Sequence, residues 1–107
     1  MWEFMKLVFK KIRLVTGSIG DPVRLTEDKI FSPLVEFHTL ITNTGDVFIG
    51  DETVDSTWIP RGPDITWSVA ASSNASITSG DWVSLFDIFV DTEEAGNVLI
   101  VQYVVGV

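Results

Sequence analysis

The chain has 107 residues, 46% of them hydrophobic, with four Trp and seven Phe, which suits one packed core and excludes disorder of the whole chain. Seven basic against fifteen acidic residues give a net charge of −8, which repels nucleic-acid phosphates and anionic lipid surfaces. The absence of cysteine removes disulfide frameworks, thiolate zinc sites and cysteine nucleophiles together.

Period-two alternation, punctuated by Gly, Pro, Asn, Asp and Ser, outweighs helical periodicity along the chain and predicts a single all-β domain over residues 1–107. The first element is an N-terminal strand near residues 4–15, in an N-terminal arm or strand over 1–15, where Lys6, Lys10, Lys11 and Arg13 interleave with Leu7, Val8, Phe9, Ile12 and Leu14. Its charges read as a solvated strand face, with a patch for an acidic partner as the alternative. They also interrupt any apolar signal-peptide core, and no run reaches the length of a membrane span. Neither nucleic acid nor membrane is therefore an expected partner.

A break at Gly17 to Pro22 leads to an extended piece at Val23–Thr26, and Thr26 to Lys29 could open one helical turn before Pro33. Val35 to Ile41 reads as a strand with Val35, Phe37 and Ile41 on one face and Glu36 and His38 on the other. Asn43-Thr44-Gly45 is a turn signal, and Val47-Phe48-Ile49 a short strand with Val47 and Ile49 inward and Phe48 turned away. Gly50-Asp51 ends it, with both Gly45 and Gly50 expected to serve tight reversals.

Pro60 and Pro63 make residues 58–63 a turn-rich lead into the strand at 64–69, where Ile65, Trp67 and Val69 share a face. Residues 72–81 are a polar loop, in which Asn74-Ala75-Ser76 matches a glycosylation acceptor in a chain with no secretory signal. Trp82 to Asp91 is expected to be one strand with Trp82, Phe86, Ile88 and Val90 on one face. A turn at 91–97 precedes Val98 to Val105, a strand apolar on both faces that must be covered from both sides or lie against another subunit. About seven or eight strands in one domain suit an antiparallel β-sandwich, most simply a jelly roll.

Candidate chemistry is sparse. His38 is the only histidine, and a nucleophilic triad built on it would need an activated Ser on a strained turn, which no motif supplies. The acidic groups Asp46, Asp51, Glu52, Asp55 and Asp87, Asp91, Glu93, Glu94 fit solvated turns better than a spaced calcium loop. No catalytic residue, metal ligand or cofactor site is expected, and the chain does not read as an enzyme. Trp67 and Trp82 are in phase with aliphatic neighbours and belong to the core, whereas Trp2 and Trp58 are surface candidates for stacking on a sugar ring.

The run Asn43-Thr44-Gly45-x-Val47-Phe48-Ile49-Gly50, then Val54, Ile59-x-x-Gly62, Leu85-x-Asp87-Ile88-Phe89-Val90-Asp91, Gly96 and Tyr103 resembles a pattern in small tailed-phage and virus structural proteins. The resemblance covers residues 35–105. It departs at Pro60 and Pro63, which flank a glycine turn, and in a longer acidic loop at 91–97. It implies a β-sandwich or jelly roll that decorates or cements a capsid as a homotrimer, is made in the host cytoplasm, and binds the major capsid protein or another virion protein. On that reading the interface candidates are Lys6, Lys10, Lys11, Arg13, Phe48 and Trp58. The alternative is a carbohydrate- or receptor-binding module of a phage tail or spike.

Overall fold

The computed structural model describes residues 7–70 and 82–106. In chain order the elements are β1 (Leu7–Val15), β2 (Val23–Arg24), β3 (Phe31–Ser32), β4 (Leu34–Thr39), β5 (Val47–Gly50), β6 (Thr66–Ala70), β7 (Val83–Ser84), a 3₁₀ turn (Leu85–Asp87), β8 (Phe89–Thr92) and β9 (Val98–Gly106). Every strand pairing is antiparallel, in a four-stranded sheet β1-β9-β4-β6, a three-stranded sheet β2-β8-β5 and a small pair β3-β7.

The larger sheets face each other across one core, to which the first contributes Val35, Phe37, Leu99 and Val101 and the second Val47 and Val90. Leu25 and Leu85, from connecting segments, complete it. The chain is thus an all-β antiparallel sandwich. Full burial of each such aliphatic or aromatic side chain contributes about 1.5–3 kcal/mol before conformational entropy is set against it.

The Asn43–Gly45 turn forms as its residues dictate, with Gly45 at φ +88° in the left-handed region. Its fixing is less local. Asn43 exchanges hydrogen bonds with the backbone of Val98, at 2.9 and 2.8 Å. Asn97 does the same with the backbone of Thr44, at 2.9 and 3.0 Å. Two asparagine side chains therefore substitute for ladder bonds where the chain turns, and both are buried.

The last strand proves to be central, between β1 and β4. Leu99 and Val101 point into the core, and on the opposite face Val98 and Val104 are also buried. Ser32 Oγ lies 2.8 Å from the carbonyl oxygen and 3.2 Å from the amide nitrogen of Val104, and Asn43 holds Val98. At these two residues the second apolar face is covered from within the chain, so it does not require another subunit there.

Four local expectations are corrected. Thr26 to Lys29 is not a helical turn, because Thr26 Oγ1 accepts the Asp28 amide at 3.1 Å and offers the backbone a competing bond. Ile41 lies beyond β4 and is exposed, while Thr39 takes the buried position and its hydroxyl donates to the Gly62 carbonyl. Trp82 to Asp91 is not one strand: the 3₁₀ turn interrupts it and rotates Leu85 into full burial. Phe48 is only 4% exposed. It lies opposite Asp91 on the face away from the core, but the segment leaving β5 returns to pair Arg61 with Val47 and buries both Phe48 and Val54.

Candidate functional site

The four-stranded sheet is one strand wider than the sheet facing it, and β6 is where the difference shows. Ile65, just before that strand, and Val69, on its inward face, remain 41% and 43% exposed. Beneath them lies an open groove of about 520 Å³, lined by Ile49, Trp58, Ile59, Trp67, Val69 and Ile88 among others. Its volume falls within the range typical of binding pockets, and among the described residues Arg61 is the one charged group on its wall.

Two tryptophans shape this groove. Trp67 stacks on Phe37, with ring centroids 5.2 Å apart and planes at 15°, and the Arg61 guanidinium carbon lies 4.5 Å from its ring centroid. Trp58, 36% exposed as expected of a surface residue, lays its ring against the backbone of Gly50. A Cβ at position 50 would run into the Cζ3 and Cε3 atoms of that ring. Gly50 is therefore required by close approach of Trp58 and not by a positive φ, which corrects the expected reversal.

The segment carrying Trp58 is organised by two Asp-x-Thr units. Asp51 Oδ1 accepts the Thr53 amide at 2.8 Å and Asp55 Oδ1 accepts the Thr57 amide at 2.9 Å, and each also accepts its threonine hydroxyl. These hydroxyl bonds, followed by the amide bonds, hold both carboxyl groups below their ordinary range. The acidic residues of this loop thus act as turn formers. No group of three or more metal-ligating side chains occurs among the described residues. Asp91 is likewise structural, since its buried carboxylate accepts the amides of Gly20 and Thr92 at 3.0 and 2.8 Å.

On the outer face, His38 Nδ1 lies 2.7 Å from Thr66 Oγ1, and His38 Nε2 lies 3.7 Å from Asp64 Oδ1. Asp64 occupies the left-handed region at φ 57°. The three residues superficially suggest a hydroxyl, a base and an orienting acid. However, His38 and Thr66 are a directly opposed cross-strand pair on an exposed sheet face, and the hydroxyl sits on a strand and not on a sharp nucleophile turn. The trio reads as sheet-surface pairing.

The basic cluster is divided by strand alternation. Lys11 and Arg13 lie on the outer face, in register with Gln102 and Ile100, alongside Phe9, which is 74% exposed. Lys10 is in register with the half-buried Tyr103, on the side of Ile12 and Leu14. Lys6 and Trp2 lie outside the described residues, as does the polar 72–81 loop with its acceptor-like tripeptide. Of the interface candidates, Lys10, Lys11 and Arg13 are exposed along β1, Trp58 edges the groove, and Phe48 is removed by burial. The sequence does not announce the groove: its wall joins residues of β4, β5, β6, β7 and their connections, and the sequence shows only that Ile65, Trp67 and Val69 share a face.

Comparison with models of known protein families, with curated proteins and with solved structures gives no match for this chain.

Proposed function

We propose that this chain is a structural assembly subunit that decorates or cements a virion as a homo-oligomer, acting through its surfaces and without an active site. The observation that carries the assembly reading is the uncovered apolar underside of β6, where Ile65 and Val69 join the neighbouring Ile59, 68% exposed, beside Trp58. Contiguous exposed apolar surface of this kind marks a contact site more often than a solvated face.

The virion part of the proposal rests on the motif resemblance across residues 35–105, and with it come the major capsid protein or another virion protein as partner, a trimer, and a place on the capsid surface. A jelly roll is the finer form of the same reading, supported by two packed antiparallel sheets with the first and last strands side by side.

Sedimentation velocity over a range of concentrations, followed by co-sedimentation with expanded capsids, tests it. The proposal predicts an oligomer that pellets with capsids. A monomer at every concentration that leaves capsids bare overturns it.

The second reading, a carbohydrate- or receptor-binding module, is favoured by the position of Trp58 at the rim of the groove. Against it, Trp67 is engaged by Phe37 and Arg61, and one side of Trp58 is committed to Gly50. Glycan-array binding that disappears in Trp58→Ala would favour this reading over the first.

A further inference from the structure

Both outer strands of the four-stranded sheet, β1 and β6, lack a second neighbour among the described residues. Their unpaired groups can be located from the ladder. Thr16 N–H donates to Asn97 O at 2.8 Å, at a point where Gly96 (φ +88°) and Asn97 together oppose Thr16. Hydrogen bonding alternates along an antiparallel pair, so Leu14, Ile12 and Lys10 also turn their backbone groups toward β9. Phe9, Lys11, Arg13 and Val15 turn theirs to the open edge. On the other side Thr39 N–H donates to Ile65 O at 2.9 Å, which turns Trp67 and Val69 toward β4 and leaves Thr66, Ser68 and Ala70 facing outward.

These two edges are complementary in three independent respects. Strand directions alternate across the sheet, so β1 runs opposite to β6 and can follow it as the next antiparallel strand. The outward-facing backbone groups belong, on both edges, to residues whose side chains lie on the same outer face, so a ladder pairing Phe9 with Ala70, Lys11 with Ser68 and Arg13 with Thr66 keeps both faces continuous. It also sets Ile12 beside Trp67 and Leu14 beside Ile65, covering the exposed row under β6.

Charge is the third respect. Lys10, Lys11 and Arg13 of β1 are three of the seven basic residues, so the rest of the chain carries fifteen acidic against four basic. Pairing β1 with β1 of another copy would bring those cations together. Pairing β1 with β6 instead places Lys11 next to the row containing Glu36, and Arg13 next to Thr66 and the His38–Asp64 contact.

We propose that β1 of one copy adds to the β6 edge of the next, so that a second copy of this chain occupies both open edges and the four-stranded sheets join head to tail. The inference rests on the assembly reading and specifies its contact. Such a heterologous contact closes into a ring or continues as an open chain, according to the rotation between copies.

The chain has no cysteine, so engineered pairs have no background. Opposed residues in the proposed ladder would have Cα atoms about 5.5 Å apart, within disulfide range. Lys11→Cys and Ser68→Cys are prepared separately, mixed and mildly oxidised, with native light scattering run in parallel. Arg13→Cys with Thr66→Cys repeats the test two residues along.

The expected result is a disulfide-linked dimer only in the mixtures, with association weakening at high salt. Efficient crosslinking of Ser68→Cys alone would show β6 pairing with itself and overturn the proposal. An oligomer by light scattering with no crosslink in either mixture would overturn it while leaving the assembly reading intact. A monomer would sink both.

Discussion

Along β1, Lys10, Lys11 and Arg13 lie on an edge that is open among the described residues, whereas β6 presents Thr66 to Ala70 without a single charge and with an exposed apolar row beneath it. Lysine on an edge strand is a common guard against indiscriminate pairing, because a second strand must desolvate or oppose the charge. On the proposed pairing the guarded edge discriminates between partners, disfavouring a second β1 and accepting a neutral strand flanked by carboxylates. The bare edge supplies surface that gains from being covered. One sheet thus carries both halves of a contact, and the difference between its edges gives that contact a direction.

The largest effect is expected from removing the roof of the groove under β6. Gly50→Val forces Trp58 off the β5 backbone and should cost about 1–3 kcal/mol of stability, measured by chemical denaturation. An unchanged midpoint would mean that Trp58 does not hold this position in solution.

Next comes a pair of proline substitutions that separates the two sides of β6. Val69→Pro removes an amide directed at β4 and should cost about 1–3 kcal/mol. Ser68→Pro removes only an outward amide, so stability should stay within about 0.5 kcal/mol while association is lost. Equal destabilisation by both would contradict the assigned alternation.

Reversing charge at the guarded edge is smaller in energy. The double variant Lys11→Glu, Arg13→Glu should weaken self-association about tenfold at low salt, with the gap narrowing as salt is added. Tighter association on reversal would mean that β1 faces a basic surface.

The smallest effect is a pH dependence of the Trp58 segment. Because the folded-state pKa values of Asp51 and Asp55 are lowered, their contribution is present above the unfolded value of 3.8 and fades as pH falls through the lower folded values. Both groups are fully exposed, so the change should be confined to the 51–57 turns and visible in their amide NMR shifts. Turns that open already above pH 5 would contradict this assignment.

What the sequence made legible was mostly local. Asn43-Thr44-Gly45 announces its turn through residues that tolerate or require a left-handed backbone, and the alternation of Ile65, Trp67 and Val69 gives both strand and face. Phe48 is buried although it faces away from the core, because alternation reports which side of a strand a residue takes and cannot report that a later loop folds over that side. Over Trp82 to Asp91 the even-spaced apolar residues continue across a 3₁₀ turn and so overstate the strand, while Leu85 falls out of phase with them.

Gly50 looked like punctuation, since the ring that excludes a side chain there arrives eight residues later. The two open edges were hidden for a related reason. Strand order β1-β9-β4-β6 is a property of the assembled sheet, and neither a basic cluster nor an uncharged strand states by itself that it lies outermost.

In the proposed assembly the β6 edge, open among the described residues, is covered by a second copy. Amide hydrogen exchange of Thr66, Ser68 and Ala70, followed from low to high protein concentration, measures this directly. The account predicts that these three amides slow as concentration rises, whereas Trp67 and Val69, already bonded into β4, change little. Exchange at all three that stays independent of concentration, while light scattering shows oligomers forming, would contradict it.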